Sequence, residues 1–311
     1  MNDNIFYQQA DLLISILPHI TKDTDFALHG GFFVRDMPRI SVDIDMIYLR
    51  IIPRDETLRA INEKLKMIST RISSSLPYVK IEEKTETTNN LITKLFIKKQ
   101  NAIVKIEPNL VIRGSLFDCE ERDLCNKAED VFEKFVITKT LSFAELYGSK
   151  ICAALDRQHP RDIFDIMLLL QNEGITNEVR KAFLVYLISH NRPISELLLP
   201  NFQDIKPVFE KEFAGMASFE VEYEKLVRVR ETLVEEINKR ITDGERMFLI
   251  SFKEGRPKWE LLGIDGAEKM PAVQWKLYNV KKMDPAKHKE SVDKLKRVLE
   301  TKVGFKDIRV K

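Results

Sequence analysis

Residues 28–49 read "LHGGFFVRDMPRISVDIDMIYL", and how this stretch is interpreted decides the fold. "DFALHGG" predicts a short strand that ends in a tight turn at Gly30 and Gly31. "FFVRDM" predicts a short helix starting at those glycines, and "VDIDMIYLRII" predicts a second strand. Asp43 and Asp45 are two apart on that strand, so their side chains share a face. Two ionised carboxylates side by side repel in a partly buried site, and a divalent cation between them removes the repulsion. Oxygen-only ligands suit Mg²⁺, or Mn²⁺, which binds one or two carboxylates together with substrate phosphates. A Gly-Gly turn lets backbone N–H groups approach a phosphate, and a following helix N-terminus adds favourable partial charge. Each half also has a plainer reading: solvent-facing aspartates on an edge strand, and a simple turn.

The rest of the chain is consistent with a globular protein. It has 311 residues, enough for two domains of ordinary size, with 44% hydrophobic and 32% charged residues. A net charge of +2 gives no strong overall field toward a polyanion, although 50 Lys and Arg can still form a local patch. Cys119, Cys125 and Cys152 are odd in number and lack C-x-x-C spacing, so reduced thiols are expected rather than disulfides or zinc. The N-terminal run lacks a basic region and is interrupted by Asp11, so no signal peptide is expected. No segment approaches a membrane span. The expected location is the cytoplasm.

The fold class expected is α/β (α+β): a domain over 1–140 with a mixed sheet, then a mostly helical domain over 141–311. Apolar spacing predicts helices at 5–20 and 55–75. "YVKIEEKTE", "LITKLFIKK" and "AIVKIEPNLVI", separated by short polar loops, predict an antiparallel meander. Beyond it, Ser142 and Glu145 form a potential capping box for a helix running to about Arg157, and Pro160 can open the next helix, ending at Gly174. Helices are also predicted at 178–190, 203–213, 219–241 and 287–301, interrupted by a less regular Gly/Pro-containing stretch at 243–286.

The order strand, Gly-Gly, short helix, loop and D-x-D strand resembles the nucleotidyltransferase superfamily that includes polymerase beta. That resemblance implies a third carboxylate on a neighbouring antiparallel strand, with Glu107 in "AIVKIEPN" the best positioned and Glu82 and Glu83 weaker alternatives. A second cluster is "YGSKICAALDRQHPRDIFDIMLL". Lys150 and Arg157 are seven apart on one helix and share a face; Arg161, Asp162 and Asp165 follow on the next helix. These residues could be helix–helix ion pairs, or Lys150 and an arginine could hold a triphosphate while the aspartates orient the arginines.

Taken together, the two clusters resemble the AbiEii/AbiGii toxin family of nucleotidyltransferases, found in type IV toxin–antitoxin pairs. The first motif is matched by Gly30, Gly31, Arg39, Ser41, Asp43 and Asp45, and the second by Lys150, Arg157, Arg161, Asp162 and Asp165. "PAVQWKLYNVKKM" and "HKESVDKLKRVL" also look like the family's C-terminal segment. The resemblance implies catalytic roles for Asp43, Asp45, Glu107, Lys150 and Asp162. It implies metal binding by Asp43, Asp45 and Glu107, and nucleotide binding by Gly30, Gly31, Ser41, Lys150, Arg157, Arg161 and Asp165. It further implies an NTP substrate, transfer to an acceptor hydroxyl such as the 3′ end of tRNA, release of pyrophosphate and a cognate antitoxin. A small-molecule or protein acceptor, or nucleotide binding without turnover, would fit the same residues. Gly31 stands where many superfamily members have serine, and the bulky Phe32 follows it. His29 and His159 read as structural, the latter as a helix cap. Trp259 and Trp275 read as packing residues. The basic segments "KKQNAIVK" and "YNVKKMDPAKHKESVDKLKR" could track an RNA backbone or form solvated faces.

Overall fold

The computed structural model describes residues 5–23, 25–29, 35–41, 43–86 and 90–300. Gly30, Gly31 and Phe32 lie outside these residues. The chain divides into two compact units, Met1–Ser142 with Met216–Phe219, and Phe143–Gly215 with Glu220–Lys311.

The first unit is mixed α/β. Helix α1 (Ile5–Ile20) leads to strands β1 (Phe26–Leu28) and β2 (Asp43–Tyr48). Helix α2 (Arg54–Ser75) then precedes β3 (Lys80–Thr85), β4 (Ile92–Lys99), β5 (Ala102–Asn109), β6 (Glu120–Asp123), helix α3 (Asn126–Phe132) and β7 (Ile137–Thr140). The seven strands form one sheet in the order β3-β4-β5-β2-β1-β7-β6. The β3-β4-β5 meander is antiparallel, as its short polar loops predict. β5 lies parallel to β2, because α2 carries the chain across before the meander starts. This corrects the antiparallel neighbour that the resemblance implied for Glu107.

Alternation along the central strands separates the two faces of the sheet. Ile44, Met46 and Tyr48 of β2, Val104 and Ile106 of β5, and Leu95 and Ile97 of β4 are buried in one core with Leu13, Ile16 and Leu17 of α1 and Ile61, Leu65 and Ile68 of α2. Asp43, Asp45, Lys105 and Glu107 take the intervening positions and point to the opposite face. The predicted helix in "FFVRDM" falls mostly outside the described residues. Its described end, Arg35–Met37, is not helical: Met37 has φ +46°, and Pro38 disfavours the α conformation in the residue before it. Residues 38–40 instead meet the returning segment 216–218, with Ile40 N–H donating to the Met216 carbonyl at 3.1 Å and Ser218 N–H to that of Pro38 at 2.9 Å.

The second unit is helical. It contains α4 (Phe143–Asp156), α5 (Pro160–Gln171), α6 (Asn177–Ser189), α7 (Ile194–Leu198), the single turn α8 (Lys206–Val208) running into a π-helical turn at Phe209–Phe213, α9 (Tyr223–Arg240), α10 (Asp243–Lys253), α11 (Pro271–Lys281) and α12 (Pro285–Glu300). Two sequence expectations are corrected here. The stretch 243–286 is mostly helical, because Thr242 and Glu245 cap α10 reciprocally and Pro271 begins α11. Trp259 does pack, at 5.4 Å from Phe248 and 6.2 Å from Phe252, but Trp275 is 58% exposed. Helix α4 approaches α6 closely at Gly148, where an added Cβ would lie 2.7 Å from the Phe183 backbone nitrogen.

Candidate active site

On the face of the sheet opposite its core with α1 and α2, the register pairs Asp43 with Lys105 and Asp45 with Glu107. Residues paired across adjacent strands point the same way, so three carboxylates and a lysine share one surface. Asp43 and Glu107 are half-buried and Asp45 is exposed. The Lys105 ammonium pairs with Glu107 at 2.7 Å, and Lys94 of β4 closes on the other Glu107 oxygen. Burial opposes ionisation of Glu107, but hydrogen bonds from Lys105 and Lys94 outweigh it and hold the carboxyl below its usual range. Burial likewise opposes the charge on Lys105, while Glu107, Asp43 and Asp45 raise its pKa overall.

This donor set fits a hard divalent cation through the two β2 aspartates, whose oxygens share one accessible face. Glu107 is turned to its lysines. Among the described residues, no group of three or more His, Cys, Asp or Glu converges as a metal site. Ser41 is half-buried two residues ahead of Asp43, and the His29 backbone N–H donates to the Asp45 carbonyl at 2.9 Å, continuing the β1–β2 ladder as far as His29. Glu82 and Glu83 sit on β3, separated from β2 by two strands. Glu82 pairs with Lys98 at 2.5 Å and Glu83 accepts from Ser69 at 2.9 Å.

The second cluster is built on α4, α5 and the loop between them. Lys150 of α4 pairs with Asp165 of α5. Arg157 forks Asp162, Nε to Oδ2 at 2.5 Å and Nη2 to Oδ1 at 2.9 Å. Arg157 is the first residue past α4, with its N–H still donating to the Ala153 carbonyl at 3.0 Å, and the two cations meet α5 three residues apart, at Asp165 and Asp162. Asp162 and Asp165 are buried, whereas the Arg157 side chain is 63% exposed. Among the described residues, the Arg161 guanidinium has no ion-pair partner. His159 caps α5, its Nδ1 accepting from the Arg161 N–H at 3.1 Å, while Nε2 contacts Glu212 at 3.2 Å. Burial, joined by the Arg161 charge, lowers the His159 pKa against the pull of Glu212.

Sequence reasoning missed four contributors. Lys105 could have been found from its two-residue spacing to Glu107 on the same strand; Lys94 depends on strand register. Gln158 is fully buried at φ +51° between α4 and α5. Its Oε1 accepts from Arg230 at 2.9 Å and from the Gln203 N–H at 3.1 Å, and its Nε2 donates to the Asn201 carbonyl at 2.8 Å. Gln158 and Arg230 thereby pin the loop that presents Arg157. No local pattern marks this role, because its partners lie 43 to 72 residues away.

These features define a nucleotidyltransferase-type α/β unit followed by helices. Residues 11–279 match the family described as "Nucleotidyl transferase AbiEii toxin, Type IV TA system". The chain belongs to this family of nucleotidyltransferase toxins. Its fold is similar to that of MenT4, a nucleotidyltransferase toxin from Mycobacterium tuberculosis H37Rv, with a TM-score of 0.58, 12% identity, and coverage of 89% of this chain and 95% of that one. No curated protein sequence matches the chain. Among the described residues, no helix is long and apolar enough to cross a membrane.

Proposed function

We propose that the chain is a cytoplasmic Mg²⁺- or Mn²⁺-dependent enzyme that transfers a nucleotide from an NTP to the 3′ end of tRNA, with release of pyrophosphate, and that a cognate antitoxin restrains it. The observation that carries this reading is the single surface formed by Asp43, Asp45 and Glu107 on adjacent parallel strands. Asp43 and Asp45 hold the divalent cation, and Glu107 joins them if its lysines give way. When bound, the cation supplies charge neutralisation for the triphosphate and polarises the reacting oxygens. The acceptor hydroxyl oxygen bonds to the α-phosphorus, and the bond from that phosphorus to the bridging oxygen breaks. The hydroxyl proton passes to Glu107 or one of the aspartates. Lys150, Arg157 and Arg161 bind the triphosphate and stabilise charge on the leaving pyrophosphate, with Asp162 and Asp165 orienting the cations. The Gly30-Gly31 backbone and Ser41 contact the nucleotide. The domain over 1–140 carries the chemistry, and the domain over 141–311 contributes to NTP and acceptor binding.

The test incubates the protein with each labelled NTP, Mg²⁺ and total cellular RNA, beside an Asp43→Ala/Asp45→Ala variant. Label on tRNA that disappears in the variant is the expected result. Label only on protein or small molecules refutes the tRNA acceptor, and NTP binding without transfer refutes the enzymatic role.

A further inference from the structure

Helix α11 presents an aromatic surface that the chemistry above does not use. Trp275 and Tyr278 are 58% and 48% exposed, and their rings stack with centroids 5.7 Å apart and planes within 20°. Among the described residues, this is the one near-parallel ring pair with both members exposed. The Lys282 ammonium lies 4.3 Å from the centre of the Tyr278 ring. Trp275, Tyr278 and Lys282 are three and four residues apart in succession, so they form one row along the helix. The opposite side of α11 anchors it through buried Ala272, Val273 and Val280, which leaves the aromatic row unneeded for packing.

The surrounding charge argues for the occupant. From Trp275 to Arg297 the chain has eight Lys or Arg against three Asp or Glu, an excess larger than the +2 of the whole molecule. Some of these cations are committed within the unit: Lys276 donates to the carbonyls of His190 and Asn191, Lys294 pairs with Glu196, and Lys296 pairs with Glu254. Lys281, Lys282, Lys287 and Lys289 are exposed on the turn and helix that follow the aromatic row. Interleaved aromatics and lysines bind single-stranded nucleic acid, the rings stacking on bases and the cations meeting phosphates. A protein-binding face of this size would more ordinarily be depleted in lysine.

We propose that Trp275, Tyr278 and Lys282 form a stacking platform for an unpaired base of the RNA acceptor, with Lys281 and Lys287 meeting the adjoining phosphates. The proposal rests on the reading of RNA as acceptor and specifies where that RNA is held.

The experiment titrates fluorescein-labelled oligouridine and, separately, deacylated tRNA against the wild-type chain and the variants Trp275→Ala, Trp275→Phe and Lys282→Ala. Anisotropy and intrinsic tryptophan fluorescence are followed between about 50 and 200 mM salt. Wild type is expected to bind both RNAs with quenching of tryptophan emission. Trp275→Ala weakens binding about tenfold and removes the quench, while Trp275→Phe retains part of the affinity. Lys282→Ala lowers the salt slope by about one. Far-UV circular dichroism of every variant should equal that of wild type, since none of these side chains is buried. RNA binding by wild type that Trp275→Ala leaves unchanged overturns the platform but not the RNA acceptor; so does an unchanged RNA affinity accompanied by loss of a dimer in sedimentation, which makes the row an interface between copies. Absence of any RNA binding by wild type overturns both.

Discussion

The acid surface of β2 and β5 and the ion pairs between α4 and α5 use the same residue types under different burial. On the strands, Asp45 is exposed, Asp43 and Glu107 are half-buried, and two lysines are held by one carboxylate. Between the helices, Asp162 and Asp165 are 5% and 8% exposed, and each pairs with a cation. The difference follows from the cost of removing charge from water, several kcal/mol per ion unless a partner is fixed in place. Shallow carboxylates can keep water and exchange partners, as a site that admits a cation and a nucleotide requires. Deep carboxylates cannot, so Lys150 and Arg157 are positioned before any ligand arrives.

The two surfaces should respond differently to loss of a carboxylate. Asp45→Asn should reduce nucleotide transfer about a thousandfold, the scale of several kcal/mol of lost charge stabilisation, with no change in thermal melting. Asp165→Asn should impair transfer and also destabilise the fold by about 3 kcal/mol in urea unfolding, because it strands the Lys150 ammonium in a largely buried place. The double variant Lys150→Met/Asp165→Leu should recover most of that stability and none of the activity. Equal stability of wild type and Asp165→Asn would show that the helix pair is as loosely held as the strand surface.

The strand lysines should matter less to stability. Lys105→Met should cost no more than about 1 kcal/mol in unfolding, since Lys105 is partly exposed and Glu107 keeps Lys94. A cost as large as that of Asp165→Asn would mean that the lysines are a structural core of the sheet.

Much of this architecture was legible because it rests on short periods. The two-residue alternation of β2 separates Ile44, Met46 and Tyr48 from the aspartates, and the three-residue spacing of Asp162 and Asp165 makes them neighbours at the start of α5. Contacts set by register or distant chain were not legible. Lys94 meets Glu107 only once β4 is paired in one particular register, and Gln158 meets Arg230 only after α9 has packed. The Gly/Pro content of 243–286 reads as irregular, although Thr242 and Glu245 start a helix there by satisfying each other's backbone N–H groups. By residue type Trp275 reads as a packing residue, whereas its exposure depends on which side of α11 carries Ala272, Val273 and Val280.

The smallest effect separates the two surfaces by pH. Glu107 has its pKa lowered, so its pairing contributes stability above the ordinary carboxylate range and loses it as pH falls through the lowered value. His159 loses stability toward acid in the same direction, but in a less acidic window and for a different reason: burial lowers its pKa from 6.5, so the folded chain binds fewer protons than the unfolded chain between the lowered value and 6.5. Stability therefore rises with pH through that window and is fully present above it. Asn is as good a helix N-cap as any residue and does not titrate, so His159→Asn should keep α5 intact while flattening the dependence of melting temperature on pH just below 6.5. Glu107→Gln should leave that window unchanged and alter only the more acidic limb. If His159→Asn leaves the slope below 6.5 as it was in wild type, the buried cap is not the group that titrates there.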